Sequence, residues 1–159
     1  MDHSLLDSYA AALGADDAER LLVARGLAVG GHLTVAGLVL FGLNTEVELP
    51  SAQVRICRFQ GTHRGSGSRQ NLLGDVRIEG PIPHLLAEAR EQVLAWQPTR
   101  RALGTTGRFE DIGLVPEDAW LEGIVNAVVH RSYSVQGDHI HVNIYDDRIV
   151  IESPGRFPG

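Results

Sequence analysis

The fold is decided by two consecutive stretches, PEDAWLEGIVNAVVHR at residues 116–131 and HIHVNIYDDRIVIE at residues 139–152. In the first stretch apolar residues recur every three to four positions, which predicts an amphipathic helix. Glu117 and Asp118 fall in its first turn, where the helix dipole favours acidic side chains. In the second stretch apolar and polar residues alternate, which predicts a strand, a tight turn and a returning hairpin strand.

The same two periods predict further elements on the amino-terminal side. Small helices are expected in a helical lead-in segment over residues 1–45, and an α+β domain over residues 46–159. Within the second segment we expect a strand around 52–57, an irregular mobile loop at 61–74, a short strand near 76–78, a helix opened by Pro81 and running to Trp96, and an irregular or extended stretch at 97–113. The fold class is therefore α+β, with a mixed or antiparallel sheet and helices packed on one face.

Composition limits the class of protein. The chain has 159 residues, of which 43% are hydrophobic and 21% charged, as in a globular domain with a sizeable core. Fourteen basic and 20 acidic residues give a net charge of −6, which argues against direct binding to a phosphate backbone. Cys57 is the single cysteine, which excludes an internal disulfide. Without a secretion signal or a long apolar run, we expect a cytoplasmic protein with no membrane contact.

A polar stripe marks the predicted helix at 116–131. Glu122, Asn126 and His130 are spaced by four residues and so share one helix face. Because the adjoining face is almost wholly apolar, we expect this stripe to be partly enclosed, with close packing at Gly123. A carboxylate there can deprotonate a water, and the amide oxygen one turn away can ligate hydrated Mg²⁺. The alternative is a polar helix face that simply meets solvent.

Several blocks resemble one family. Residues 120–134, WLEGIVNAVVHRSYS, are similar to the block E-x-x-x-N-A-x-x-H-R-x-Y-S of bacterial and archaeal transcriptional regulators described as RecG-like and helicase-related. Residues 144–159, IYDDRIVIESPGRFPG, resemble the same family's DDRIEI-x-SPG-x-xPxG, and residues 33–42, LTVAGLVLFG, resemble its LTxAGxLLFG. In that family a Schlafen/AlbA-type DNA-binding domain is joined to a divergent GHKL (Bergerat-fold) ATPase-like domain. The resemblance covers nearly the whole chain.

The resemblance implies a site as well as a fold. The carboxy-terminal half would form part of a GHKL α/β sandwich that binds ATP and Mg²⁺. Glu122 would be the general base and Asn126 the Mg²⁺ ligand. Further nucleotide contacts would come from the residues of the two motifs, namely His130, Arg131, Gly155 and Gly159. Ser153 and Pro154 stand where a working enzyme has its adenine-reading aspartate, and the sequence stops before a lid, so we expect any ATPase activity only in an intact, longer protein.

The resemblance also implies a function. The chain would be the nucleotide-binding, ATPase-like middle part of a DNA-binding transcriptional regulator, a homo-oligomer that contacts DNA through a neighbouring domain absent from this sequence. The alternative is a structural or dimerisation module that has kept the fold and lost nucleotide binding.

One further pattern concerns metals. His139 and His141 lie two residues apart on a predicted strand and so share a face, where they could hold a metal ion together with His130 or Asn143. The alternative is that they are exposed polar residues of a hairpin.

Overall fold

The computed structural model describes residues 1–104, 107–133 and 138–154. Its helices are α1 His3–Ala12, α2 Ala18–Ala24, α3 Val35–Phe41, α4 Thr45–Glu48, α5 Ile82–Trp96 and α6 Glu117–Val129. Its strands are β1 Ala28–Val29, β2 His32–Leu33, β3 Val54–Phe59, β4 Leu72–Ile78, β5 Thr99–Leu103, β6 Phe109–Gly113, β7 Ile140–Ile144 and β8 Ile149–Glu152. A single 3-10 turn covers Gly67–Arg69 in the described part of the chain.

A four-stranded mixed sheet organises the second part of the chain. Its strand order is β4-β3-β7-β8, so β3 and β7 occupy the centre. β3 runs parallel to β7 and antiparallel to β4, and β7 forms an antiparallel hairpin with β8. Ile56 lies opposite Val142 on one side and Val76 on the other. The apolar residues of the alternating strands therefore line up on one face.

Helices α5 and α6 cover that apolar face. The principal core contains thirteen buried residues, namely Val54, Ile56, Ile78, Leu85, Ala89, Val93, Trp120, Ile124, Ala127, Val128, Ile140, Val142 and Ile144. They come from β3, β4, β7 and the inner faces of the two helices. The α+β fold with a mixed sheet and helices on one face is confirmed.

The amino-terminal residues gather around a second, smaller core. Its buried members are Leu6, Leu22, Leu27, Ala28 and Phe41. Thr34 caps α3, as the sequence predicts, since its hydroxyl oxygen accepts a hydrogen bond from the Gly37 amide at 3.3 Å. The pattern of apolar residues does not predict the β1–β2 hairpin or helix α4. Each strand of the hairpin has only two residues and α4 has only four, which is too short to show a period.

Two stretches differ from expectation. Residues 97–113 contain two extended strands, in line with the second of our two alternatives, but their pairing as the antiparallel hairpin β5–β6 was not predicted. β4 begins at Leu72, inside the predicted loop, because its pairing with β3 continues to Phe59 through an irregularity in register. The rest of the loop is irregular but held by Asn71, whose side chain bonds to Gln60, His63 and Gly65. None of the helices within the described ranges combines the length and apolarity needed to cross a membrane.

Gly37 permits the closest approach in the amino-terminal core. A Cβ at this position would lie 2.0 Å from the backbone oxygen of Leu27, a distance that only movement of the backbone could relieve. We expect Gly37→Ala to lower the free energy of unfolding by about 1–3 kcal/mol, as overpacking does. Val35→Ala, at an exposed site of the same helix, should change it by less than about 0.5 kcal/mol. Urea denaturation checks both, and equal midpoints for the two variants would contradict the packing.

Candidate functional site

Helix α6 sets the position of the predicted stripe. Trp120, Ile124 and Val128 are buried against the sheet, and the helical period then turns Glu122 and Asn126 to the opposite side. Both residues are exposed, and so is His130. The expectation of a partly enclosed stripe is therefore wrong for the described chain, because the buried apolar residues of α6 face the sheet on the side away from the stripe.

The carboxy-terminal end of β8 lies beside this stripe. A Cβ on Gly123 would come within 2.7 Å of Cδ1 of Ile151, which confirms the predicted close packing at this glycine. One turn further on, the Ser153 hydroxyl donates to the carbonyl oxygen of Ala127 at 3.3 Å. The chain that follows β8 therefore starts at the backbone of Ala127, the residue after Asn126. Gly155 and Gly159, the other predicted nucleotide contacts, lie outside the described residues.

His130 closes the helix. It is the carboxy-terminal cap of α6, and its backbone amide donates to the Asn126 carbonyl oxygen at 3.0 Å. Its exposed side chain continues the stripe by one turn. Glu122, Asn126 and His130 therefore share one helix face as the spacing predicts, and their roles toward a nucleotide stay predictions.

Arg131, unlike the three residues of the stripe, is buried. Its side chain is only 5% exposed and is directed into the protein, where Nη2 donates to the backbone oxygen of Asp138. Its guanidinium carbon lies 5.7 Å from the ring centre of Tyr133. The Tyr133 hydroxyl donates in turn to the Val128 carbonyl at 2.9 Å. Removal of the guanidinium from water lowers the pKa of Arg131. The nucleotide contact predicted for Arg131 would therefore require this side chain to turn outward.

A small cavity adjoins the Arg131 guanidinium. Its volume is about 10 Å³, which is about the room that one water needs. Arg131 Nε and Nη1 and Gln53 Oε1 are buried and find no hydrogen-bond partner in the described part of the chain, and both residues line the cavity. The room suits one ordered water, which would bond to part of this polar lining.

The face of the sheet opposite the helices carries polar residues. Arg55 Nε and Nη2 donate to the two carboxylate oxygens of Asp75 at 2.8 and 2.6 Å, a bidentate pair across β3 and β4. These hydrogen bonds hold the pKa of Asp75 below its usual value. Cys57 lies beside the pair, with burial as the main reason that the pKa of its thiol is raised. Asn143 on β7 donates to Glu152 on β8 at 3.1 Å.

Sequence reasoning missed the Arg55–Asp75 pair. The alternation of polar residues along β3 and β4 marks the open face, but 20 residues separate the two partners. Only the strand register, with Arg55 opposite Arg77 and Cys57 opposite Asp75, brings them together. A second pair, Arg58 with Asp146, was missed for the same reason.

Comparison with solved structures finds a similar fold. No protein-family model matches the chain, and no curated protein matches it. Among solved structures, the DIP2311 protein from Corynebacterium diphtheriae is similar, with a TM-score of 0.70 and 20% sequence identity. The match covers 98% of this chain and 30% of that protein. At this identity the likeness concerns the fold alone.

The Arg55–Asp75 pair predicts a pH dependence of stability. Because the folded-state pKa of Asp75 is depressed, its contribution is present above the unfolded pKa near 4 and is lost as pH falls through the folded value. We expect Asp75→Asn to lower the free energy of unfolding at pH 7 by about 0.5–1 kcal/mol, since both side chains are about one-third exposed. The difference from the unsubstituted chain should shrink below about pH 4. Urea midpoints at several pH values test this, and a constant difference would contradict it.

Proposed function

We propose that this chain is a nucleotide-binding, ATPase-like regulatory module of a DNA-binding transcriptional regulator. One observation carries the proposal. Glu122 and Asn126 stand one turn apart on the exposed side of α6, while the end of β8 is fixed beside them by the Ser153–Ala127 hydrogen bond. A carboxylate and an amide oxygen are thus presented together near Ser153, the residue at which the second predicted motif begins.

The donor set suits magnesium and a phosphate chain. Mg²⁺ prefers oxygen ligands, keeps several waters and is commonly held by one or two protein groups together with the substrate phosphates. The Asn126 amide oxygen would be the protein ligand, and the bound ion would neutralise phosphate charge. The Glu122 carboxylate, exposed and one turn away, would accept the proton of an attacking water. Hydrolysis, where it occurs, would depend on Glu122, and binding on Asn126.

Coupling to DNA is assigned to a different part of a longer protein. A net charge of −6 opposes binding of this segment to a phosphate backbone. The similar structure from C. diphtheriae is matched over only 30% of its length, so a module of this fold can be one part of a larger chain. In the proposed regulator, nucleotide binding here would alter assembly or the DNA affinity of the neighbouring domain.

Nucleotide binding is tested by calorimetric titration of this chain with ATP and Mg²⁺. We expect saturable binding that weakens at least tenfold in Asn126→Ala, which corresponds to about 1.4 kcal/mol. Asn44→Ala is the matched control, because Asn44 is exposed and makes no capping hydrogen bond to α4. Glu122→Gln should keep binding and abolish any hydrolysis. Absence of binding at millimolar ATP, or equal binding by Asn126→Ala, would contradict the proposal.

A second candidate function, self-association, is favoured by the β5–β6 hairpin. Leu103 and Phe109 face each other across the two strands and are 63% and 67% exposed. Arg101 lies 5.9 Å from the Phe109 ring centre. Exposed apolar groups rimmed by charge are typical of interaction surfaces. The hairpin would then pair with a second copy of the chain.

Sedimentation velocity over a range of protein concentrations tests self-association. We expect a reversible dimer whose dissociation constant rises at least tenfold in the double variant Leu103→Ser and Phe109→Ser, because apolar area is lost from the interface. Leu43→Ser is the control, since Leu43 is 62% exposed but belongs to the amino-terminal segment and not to the hairpin. A monomer at every concentration would exclude this function.

A further inference from the structure

Three potential metal ligands meet at the start of β7. Asp138, His139 and His141 each offer one ligand atom, and these atoms all lie within 4.8 Å of one another. The alternation of the strand places both histidines on the open face of the sheet, with ring centres 4.3 Å apart. Nε2 of His141 lies 3.5 Å from a carboxylate oxygen of Asp138. The cluster is separate from the α6 stripe, because α6 covers one face of the sheet and the cluster lies on the other.

The spacing of these atoms fits a small metal ion. Ligands 2.0–2.1 Å from a tetrahedral zinc ion are about 3.4 Å from each other. The His141–Asp138 distance already has this value, and rotation about the side-chain bonds of His139 can bring the third atom into place. Two imidazoles and one carboxylate also form a donor set that divalent ions of the zinc type favour.

His139 supplies an independent reason to expect a ligand. Its Nε2 is buried and has no hydrogen-bond partner within residues 1–104, 107–133 and 138–154. A buried polar atom without a partner is costly, and coordination of a cation would satisfy it.

Charges on the neighbouring strands also permit a cation. Arg55 is the register neighbour of His141 on β3, and its charge is compensated by the bidentate contact with Asp75. On the other side, the register neighbour of His141 is Glu152 on β8, which adds a negative charge. Arg77 on β4 is opposite Arg55 and so lies two strands from His141, where its positive charge is further from the proposed ion.

We propose that Asp138, His139 and His141 bind one divalent transition-metal ion of the zinc type, through two imidazole nitrogens and one carboxylate oxygen. Water would complete the coordination. The backbone oxygen of Asp138 also accepts from Arg131, so the proposed site lies where the start of β7 is joined to the residues that follow α6. The sequence pattern suggested His130 or Asn143 as the third ligand. The structure favours Asp138, whose carboxylate oxygen lies 3.5 Å from His141 Nε2, whereas Asn143 is bonded to Glu152.

Titration of the tag-free chain with Zn²⁺ tests the site. We expect one saturable site per chain, whose affinity falls at least tenfold in His141→Gln and in Asp138→Asn. His32→Gln is the matched control, since His32 is exposed on β2, and should leave the affinity within twofold. Circular dichroism establishes that the variants are folded.

Ring-nitrogen NMR of the unsubstituted chain gives a second readout that does not depend on the folding of any variant. Zn²⁺ should shift the resonances of His139 and His141 before those of the other five histidines. Absence of saturable binding, unchanged affinity in a folded His141→Gln, or zinc shifts confined to other histidines would each overturn the proposal.

Discussion

The parallel pairing of β3 with β7 is the contact on which the rest of the structure depends. Val54 and Ile56 in β3 lie next to Ile140 and Val142 in β7, and none of these four side chains is more than 2% exposed. Parallel strands need a crossover connection, and here the intervening chain supplies α5 and α6, which cover the face that the pairing creates. The helix carrying Glu122 and Asn126 is therefore held by the same residues that join the two strands.

This arrangement gives the two faces of the sheet different chemistry. The helix-covered face is apolar, so α6 can be fixed firmly while its outer side presents a carboxylate, an amide and an imidazole to solvent. The open face holds cross-strand polar contacts, with Arg55 on Asp75 and Asn143 on Glu152. The proposed nucleotide and the proposed metal ion would therefore act on opposite sides of one sheet.

The sequence predicts those features that depend on local period. Spacing alone identifies α5, α6, β3, β7 and β8, and it places Glu122, Asn126 and His130 on one face, because helical and strand geometry are fixed by neighbours a few residues apart. It mispredicts the enclosure of that stripe, because enclosure depends on what else packs there. It misses the β5–β6 hairpin, whose exposed Leu103 and Phe109 do not follow an inward–outward alternation. The Arg55–Asp75 contact requires the register, which no local pattern contains.

The separation of β3 from β7 along the chain also bears on the order of folding. Ile56 and Val142 are neighbours across the sheet although more than half of the chain lies between them, and closing so long a loop is entropically slow. The antiparallel β3–β4 and β7–β8 pairs involve shorter loops and can form first. During synthesis on a ribosome, the edge of β3 that later pairs with β7 therefore stays unpaired until β7 emerges. Arg58 has no ion-pair partner until Asp146 emerges after β7, so its free charge on this strand disfavours the addition of another chain and the aggregation that would follow.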